Sequence, residues 1–503
     1  MQLNYHSSQK DQGFIRRIIV FLKRNYWLYS LELLLIVLLA IPPYGFEEIK
    51  SNLPDYQNKY GAGTNFEYAN FNGSWGAAFN TRDSIPTPGN LTTNFPDQFG
   101  DNIAYVPRPN NVKDLFDTGI IRENSINITH GGETSTFNLT MSEVDQKGYI
   151  PHSGFDRKSF ALGGTAKLSE KLTVGGNMSF SHVDQDGPLF GNNQISGGAS
   201  SFARALWPAR HWNWTEWPYE NANGEPVIPN GGYDHPLWSW KHNTNNQTID
   251  RTVLGMNTSY EIFPWLTAGI NAGYNKSLQE QQTVTDIGSR GAEGLGEIRE
   301  NTYVTERMES TFTLSLNKDL NEDFNIQATA GFNLSQNDVS VYRITGTEII
   351  NPGIYNLRNT KSQSVIDDYT TRDRIMGVFA QATLGYRDYL YLTLNGRNDW
   401  NSALYLPKGG VGKETTNFFY PGATLAYVFT NQFDLSDTPI DFGKLRLGWS
   451  KVGGVGALGA YDNNAVFITD PSAFGVNLIR NSISLSNPVL SPEFTTEFEI
   501  GGE

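Results

Sequence analysis

Apolar and polar residues alternate along much of this 503-residue chain. The stretch Ile375–Asp399 shows the pattern most clearly, because two alternating arms there flank a short turn at Arg387 and Asp388. Successive side chains of a β-strand point to opposite faces, so each arm has one apolar and one polar face. Each arm also spans about ten residues, the length that a tilted strand needs to cross the hydrocarbon layer of a membrane.

The same alternation recurs at residues 159–168, 172–181, 324–334 and 444–450. Tight turns such as Ser169–Lys171 separate some arms, and long polar loops separate others. Long alternating strands with this arrangement of turns are typical of outer-membrane proteins. The sequence therefore predicts an all-β fold, a partial transmembrane antiparallel β-barrel of roughly thirteen strands with long extracellular loops.

The alternation in the central hairpin assigns side chains to the two faces of the barrel wall. Seven apolar residues are predicted to face lipid: Met376, Val378, Ala380, Leu384, Leu390, Leu392 and Leu394. Five polar residues are predicted to face the lumen: Gln381, Thr383, Asn395, Arg397 and Asp399.

Residues 1–43 do not follow this pattern. Four basic residues between positions 16 and 24 precede an apolar run from Tyr26 to Ile41. This arrangement is typical of a signal peptide or signal anchor, and a stretch foreign to the barrel gene is the alternative. Under either interpretation we expect residues 26–41 to form a separate helix and residues 44–503 to form the partial barrel.

Composition narrows the possible functions. The formal net charge is −14, which argues against a nucleic-acid partner. The chain has no cysteine, so it has no thiolate metal ligand and no disulfide. Its seven histidines form no H-E-x-x-H pattern, and no nucleophile elbow or Walker sequence is present. Gly454–Gly459 matches G-x-G-x-x-G, but no helical pattern follows it, which argues against a nucleotide site. We therefore predict no catalytic residue, no cofactor and no metal, and we expect the protein not to be an enzyme.

The longest region between predicted strands, Asp184 to Arg251, is rich in tryptophan. It contains six of the eleven tryptophans of the chain: Trp207, Trp212, Trp214, Trp217, Trp238 and Trp240. One interpretation is a long loop that packs on its own aromatic side chains. The other is a contact surface for a ligand or a lid protein, because tryptophan is frequent in binding hot spots.

Several short motifs have a combined pattern that resembles a known family. They are Leu53–Gly63 with Gly73–Gly76, Asn111–Gly119, Asp145–Pro151, Gly396–Ser402, Phe419–Pro421 and Lys444–Trp449. From about Gly45 to Glu503 the chain resembles the SusC/RagA-type TonB-dependent outer-membrane transporters of Bacteroidetes. Each motif is weak alone, and the specificity lies in their combination.

The resemblance implies an energised importer of oligosaccharides or peptides in the cell outer membrane. It also implies two partners, the TonB complex and a SusD-like surface lipoprotein that acts as a lid. The family carries a plug and a TonB-contacting segment before the barrel, and residues 1–43 match neither. Plugged transporter barrels have about 22 strands, so we expect this chain to be a barrel fragment that meets TonB through a part missing here.

Two other function classes remain open. A passive or structural outer-membrane barrel, for example an adhesin, would show the same strand pattern without energised transport. A soluble enzyme is a third hypothesis, and the lack of a catalytic group of residues argues against it.

Overall fold

The computed structural model shows a mainly β protein. It describes residues 44–47, 53–71, 73–189, 205–206, 208–229, 233–405, 416–433, 435, 440–464, 466–471, 477–481, 487 and 490–503. The helix expected at residues 26–41 lies outside this part of the chain. Among the described residues, no helix is both long and apolar enough to cross a membrane.

Fourteen strands form one large sheet. They are β1 (Tyr44–Glu47), β6 (Gly119–Gly131), β7 (Ser135–Lys147), β8 (Gly154–Lys167), β9 (Leu172–Asp186), β10 (Thr244–Phe263), β11 (Leu266–Thr285), β12 (Glu297–Asp319), β13 (Phe324–Ile349), β14 (Thr360–Tyr386), β15 (Leu390–Asn401), β16 (Asn417–Tyr427), β17 (Leu445–Gly454) and β20 (Glu493–Gly502).

The remaining elements are short. The strands are β2 (Gly63–Thr64), β3 (Glu67–Tyr68), β4 (Ser84–Pro86), β5 (Asn102–Ala104), β18 (Phe467–Pro471) and β19 (Asn477–Asn481). The α-helices are α1 (Gly89–Asn94) and α2 (Pro236–His242). The 3-10 helices are Phe79–Thr81, Lys113–Leu115, Arg290–Ala292, Leu357–Asn359, Ser402–Leu404 and Phe429–Asn431.

Each strand of the large sheet pairs antiparallel with its neighbour, in the order β1, β6 to β17, then β20. The tightest connections, at 132–134, 168–171, 264–265, 320–323 and 387–389, lie at one rim. Arg387 and Asp388 have positive φ angles of 47° and 56°, as a two-residue type I′ turn requires. The connections 187–243, 402–416 and 455–492 share the opposite, long-loop rim. This topology confirms the predicted antiparallel barrel wall, with one strand more than the sequence suggested.

The two faces of the sheet differ in chemistry. Directly opposed residues of neighbouring strands point to the same face. One row across β13 to β17 and β20 is wholly apolar: Ile326, Leu384, Leu392, Leu425, Leu447 and Ile500. A neighbouring row, across β11 to β17 and β20, is polar or small: Thr267, Ser315, Thr329, Gln381, Asn395, Gly422, Ser450 and Glu497. We call the two sides the apolar face and the polar face.

The longest strands extend past the apolar band. β12, β13 and β14 have 23, 26 and 27 residues, whereas about ten suffice to cross the hydrocarbon layer. Toward the long-loop rim the apolar face becomes charged. Lys276 Nζ lies 2.8 Å from Glu306 Oε1, and Arg372 Nε lies 2.7 Å from Asp338 Oδ1. The expectation of strands about ten residues long was therefore wrong for this part of the sheet.

Two long connections fold together at the long-loop rim. Residues 53–118 follow β1, and residues 187–243 join β9 to β10. Tyr56 Oη donates to Leu206 O at 2.9 Å, and Asn111 Nδ2 donates to Ala209 O at 3.1 Å. A buried cluster, here called the loop core, joins them: Ala62, Leu115, Ile150, Ala205, Ala209, Trp212, Trp214, Ile228, Tyr233 and Trp240.

Leu392 and Thr393 allow a direct test of the two faces. Leu392 belongs to the apolar row and is 39% exposed, whereas Thr393 pairs with Thr383 on the polar face. We expect Leu392→Lys to lower the folding stability in lipid by about 2–4 kcal/mol, because a cation then faces hydrocarbon. We expect Thr393→Lys to change it far less. Denaturant titration in lipid vesicles, followed by heat-modifiable gel mobility, measures both, and equal losses would contradict the assignment of faces.

Candidate functional site

The tryptophans of the long connection are mostly enclosed. Trp212, Trp214, Trp238 and Trp240 are at most 1% exposed. Trp212 and Trp214 pack edge to face, with ring centroids 5.2 Å apart. Trp217 is only partly buried, and Trp207 lies outside the described residues. Four of the six rings are therefore packed in the protein interior. A ligand- or lid-contact role for the six tryptophans stays a prediction.

The boundaries of the tryptophan-rich connection differ from those expected. β9 continues to Asp186 and β10 begins at Thr244, so the connection covers residues 187–243 rather than 184–251. The strand ends are polar, for example at Gln185 and Gln247, and their amide side chains bond to each other at 2.6 Å across the ladder. Polar strand ends carry no apolar period, so the sequence pattern assigned them to the loop.

A buried arginine joins the two connections of the loop core. Arg210 is 1% exposed, and its guanidinium donates to Asn58 Oδ1 at 3.1 Å, to Pro109 O at 2.8 Å and to the Asn111 side chain. Its charge also lies 4.7 Å from the centroid of the Tyr56 ring. Burial lowers the pKa of Arg210 from its ordinary value. Carbonyl, amide and ring acceptors replace a carboxylate here, so removal of this side chain would leave the buried Asn111 side chain without this donor.

Two histidines are buried in the same region. Burial lowers the pKa of His211 and of His235 to about 3. His235 Nδ1 accepts a hydrogen bond from Leu237 N at 3.2 Å, which caps helix α2. His211 lies among aromatic rings, 5.4 Å from the centroid of Tyr105, and neither ring nitrogen has a partner among the described residues. Both imidazoles are therefore neutral at physiological pH.

Hydrogen bonds tie the loop core to the next long connection of the rim. The buried Asp234 carboxylate accepts from Ser289 Oγ at 2.6 Å and from Arg290 N at 2.9 Å. Burial raises the pKa of Asp234, and these hydrogen bonds oppose the shift. Tyr355 Oη donates to Asp286 Oδ2 at 2.7 Å, which adds the connection between β13 and β14. Hydrogen bonds thus link four connections at the rim, which are 53–118 and 187–243 of the loop core, 286–296 and 350–359.

A cavity of about 500 Å³ opens between the connections 53–118, 187–243 and 286–296. Its polar lining residues are Asn90, Asn94, Asn221, Glu225, Tyr233, Arg290 and Glu293. Its volume lies within the range of small-molecule sites, and its amide and guanidinium groups can donate hydrogen bonds to a polar ligand. Among the described residues, no group of three or more histidines and carboxylates could hold a metal ion.

The residues predicted to face the lumen share the polar face. Gln381 lies opposite Asn395, and the hydroxyl oxygens of Thr383 and Thr393 are 2.9 Å apart. Arg397 Nε lies 2.7 Å from Asp399 Oδ1, and Tyr420 Oη donates to the same carboxylate. This ladder brings four of the five predicted residues together in pairs. Their contact with the lumen itself stays a prediction.

Comparison with known proteins identifies the family. Residues 200–503 match the model of the family described as TonB dependent receptor-like, beta-barrel. TonB-dependent receptor P26 of Formosa agariphila is 22% identical over 424 residues, which cover 80% of this chain and 40% of that protein. The chain belongs to the TonB-dependent receptor β-barrel family. It is accordingly an outer-membrane protein of a transporter family, as the sequence motifs indicated.

Solved structures show the same fold. The RagAB peptide importer in its closed-closed state is similar with a TM-score of 0.70, at 16% identity over 92% of this chain and 52% of that one. A second structure of the RagAB peptide transporter gives a TM-score of 0.65, at 17% identity over 78% of this chain and 43% of that one. The chain spans from 40% to 52% of the length of these relatives.

The two buried histidines predict a pH response of the loop core. Their folded-state pKa of about 3 lies below the ordinary value of 6.5. The unfolded chain therefore binds more protons between these pH values, and stability falls as the pH drops below about 6.5. We expect a red shift of tryptophan fluorescence and faster proteolysis within residues 205–243 at pH 5 than at pH 7.

A double variant isolates these two groups. His211→Phe preserves the aromatic packing, and His235→Asn preserves an acceptor that can cap helix α2. The pair should remove most of the acid sensitivity, whereas His152→Asn, at an exposed position, should leave it unchanged. Acid sensitivity that persists in the double variant would show that other groups control the loop core.

Proposed function

We propose that this protein imports an oligosaccharide or a peptide across the outer membrane, driven by the TonB complex. The observation that carries this proposal is the two-faced sheet, whose apolar face suits lipid and whose polar face suits a hydrated path. Gln381, Thr383 and Asn395 would line that path with amide and hydroxyl groups. Such groups exchange hydrogen bonds readily with a sugar or a peptide, as passage requires.

The long-loop rim would receive the substrate. The 500 Å³ cavity beside the loop core lies where the connections 53–118, 187–243 and 286–296 meet. In this family the long loops are extracellular, so the cavity would be reached from outside the cell. A SusD-like surface lipoprotein would cover this rim as a lid. The likeness to the fold of the RagAB peptide importer supports a two-component arrangement.

Contact with TonB would come from a segment that precedes the barrel in this family. The alternative, a passive or structural barrel or an adhesin, has the same wall without energy coupling. Energy dependence therefore separates the two functions.

Uptake of labelled oligomers tests the proposal. Cells that produce the protein in its natural outer membrane would receive fluorescent maltohexaose or fluorescent hexa-alanine. We expect uptake of at least one probe to require the gene and to stop when a proton uncoupler or loss of TonB removes the energy source. Uptake that continues without energy would indicate a passive barrel, and cell binding without uptake would indicate an adhesin.

Variants of Trp217 and Trp212 distinguish a ligand- or lid-contact role from a packing role. Trp217 keeps exposed surface, and its ring lies 6.4 Å from Phe99, whereas Trp212 is fully buried. We expect Trp217→Ala to reduce co-purification of the lid lipoprotein, or binding of the uptake probe, while folding stays intact. Trp212→Ala should instead destabilise the loop core by about 3–5 kcal/mol, because it removes a buried aromatic side chain. Normal binding and lid association in Trp217→Ala would leave only a packing role for this ring.

A further inference from the structure

Two arginines on the polar face stand out from the others. Arg251 lies in β10, ten positions before Glu261, which is opposite Thr267 of the polar row. An even separation keeps both side chains on one face. Ser181 of β9 lies opposite Arg251 and also opposite Ser159 of β8. Arg157 is two positions from Ser159 in β8, so it shares the same face.

The other arginines of the polar face of β8 to β17 are neutralised. Nitrogens of Arg299, Arg307 and Arg446 lie 2.6, 3.8 and 2.9 Å from carboxylate oxygens. Arg343 pairs with Asp367, and Arg397 pairs with Asp399.

Arg157 and Arg251 have no such partner. Among the described residues, no ion pair within 4.0 Å joins either of them to a carboxylate. Arg251 Nε donates to the neutral Asn275 Oδ1 at 3.2 Å. The Nε of Arg157 is buried without a partner in the described part of the chain. A guanidinium that meets no acid in a chain of net charge −14 is available for an anion from outside.

The spacing allows both guanidinium groups to meet one ligand. β8 and β10 flank β9, so the two backbones are about 10 Å apart. Between them β9 presents small or medium side chains, Ser181 and Val183, which leave the space open. Two long arginine side chains can converge across this gap. The planar fork of each one matches the geometry of a carboxylate.

A chain of side-chain amides lies beside the two arginines. Gln247 Nε2 donates to Gln185 Oε1 at 2.6 Å, and Gln279 Nε2 donates to Gln247 Oε1 at 2.9 Å. Gln247 is four positions from Arg251 in β10, so it lies on the same face. Each amide has two donor hydrogens and an acceptor oxygen, and the chain uses only some of them. The remaining groups can bind the neutral part of an oligomer.

We propose that the polar wall of β8 to β10 selects a substrate that carries a carboxylate. Arg157 and Arg251 bind the carboxylate, and Gln185, Gln247 and Gln279 bind the adjoining uncharged backbone. The carboxylate belongs to a peptide or to a uronic acid of a glycan, since both present the same group. This inference rests on the proposed import function and narrows its substrate class.

Binding of matched probes to the purified protein in lipid tests the site. The peptide pair is tetra-alanine and its C-terminal amide, and the glycan pair is tetragalacturonate and maltotetraose. We expect the carboxylate-bearing member of one pair to bind about tenfold more tightly than its neutral partner. The preference should weaken as salt concentration rises. The pair that shows it identifies the source of the carboxylate.

Variants assign the preference to these two residues. Arg157→Gln with Arg251→Gln should abolish it while the neutral probes bind as before. Arg374→Gln is the matched control, because Arg374 lies on the opposite face and its Nε donates to the neutral Gln336 Oε1 at 2.7 Å. Equal binding of charged and neutral probes, or an equal loss in the control, would overturn the carboxylate site and leave the import function intact. Failure of all four probes to bind would count against both.

Discussion

The rest of the structure depends on one constraint, the need to pair every backbone polar group in a medium without water. Neighbouring antiparallel strands of the large sheet meet this need by hydrogen bonding to one another. This pairing makes successive side chains point to opposite faces of the sheet, so apolar and polar residues alternate along each strand. Leu392 and Thr393 are sequence neighbours on opposite faces of the sheet. A single sheet thus presents an apolar face on one side and a polar face on the other.

Beyond the membrane the same ladder serves a different purpose. Toward the long-loop rim, β11 to β14 pair lysine or arginine with glutamate or aspartate on the face that is apolar nearer the tight turns. Water at this end of the sheet permits charged side chains, and the paired strand ends hold the long connections in position. Their contacts join residues far apart in sequence, as Arg210 does with Asn58. The loop core is therefore a product of sheet topology, since neither long connection encloses the tryptophans alone.

The sequence was informative where burial and lipid contact impose a period, and less so elsewhere. Residues 375–399 form the hairpin that their alternation predicted, with Gln381 opposite Asn395. The polar ends of β9 and β10 resembled loop, because residues exposed to water on both faces show no apolar period. The tryptophans of the long connection indicated either packing within the loop or contact with a ligand. The burial of Trp212 and Trp214 in the structure assigns these two rings to packing. The sequence patterns did not predict which arginines form ion pairs, because the register between strands decides which carboxylate lies near each arginine.

Register also divides the polar wall into parts with different chemistry. At β15 and β16, Arg397, Asp399 and Tyr420 satisfy one another. A ligand that bound Arg397 there would have to break an existing ion pair, so this part of the wall suits passage better than capture. At β8 and β10 the guanidinium groups meet only neutral neighbours, and a ligand carboxylate displaces no acid. The energetic advantage of binding an anion is therefore concentrated on β8 to β10.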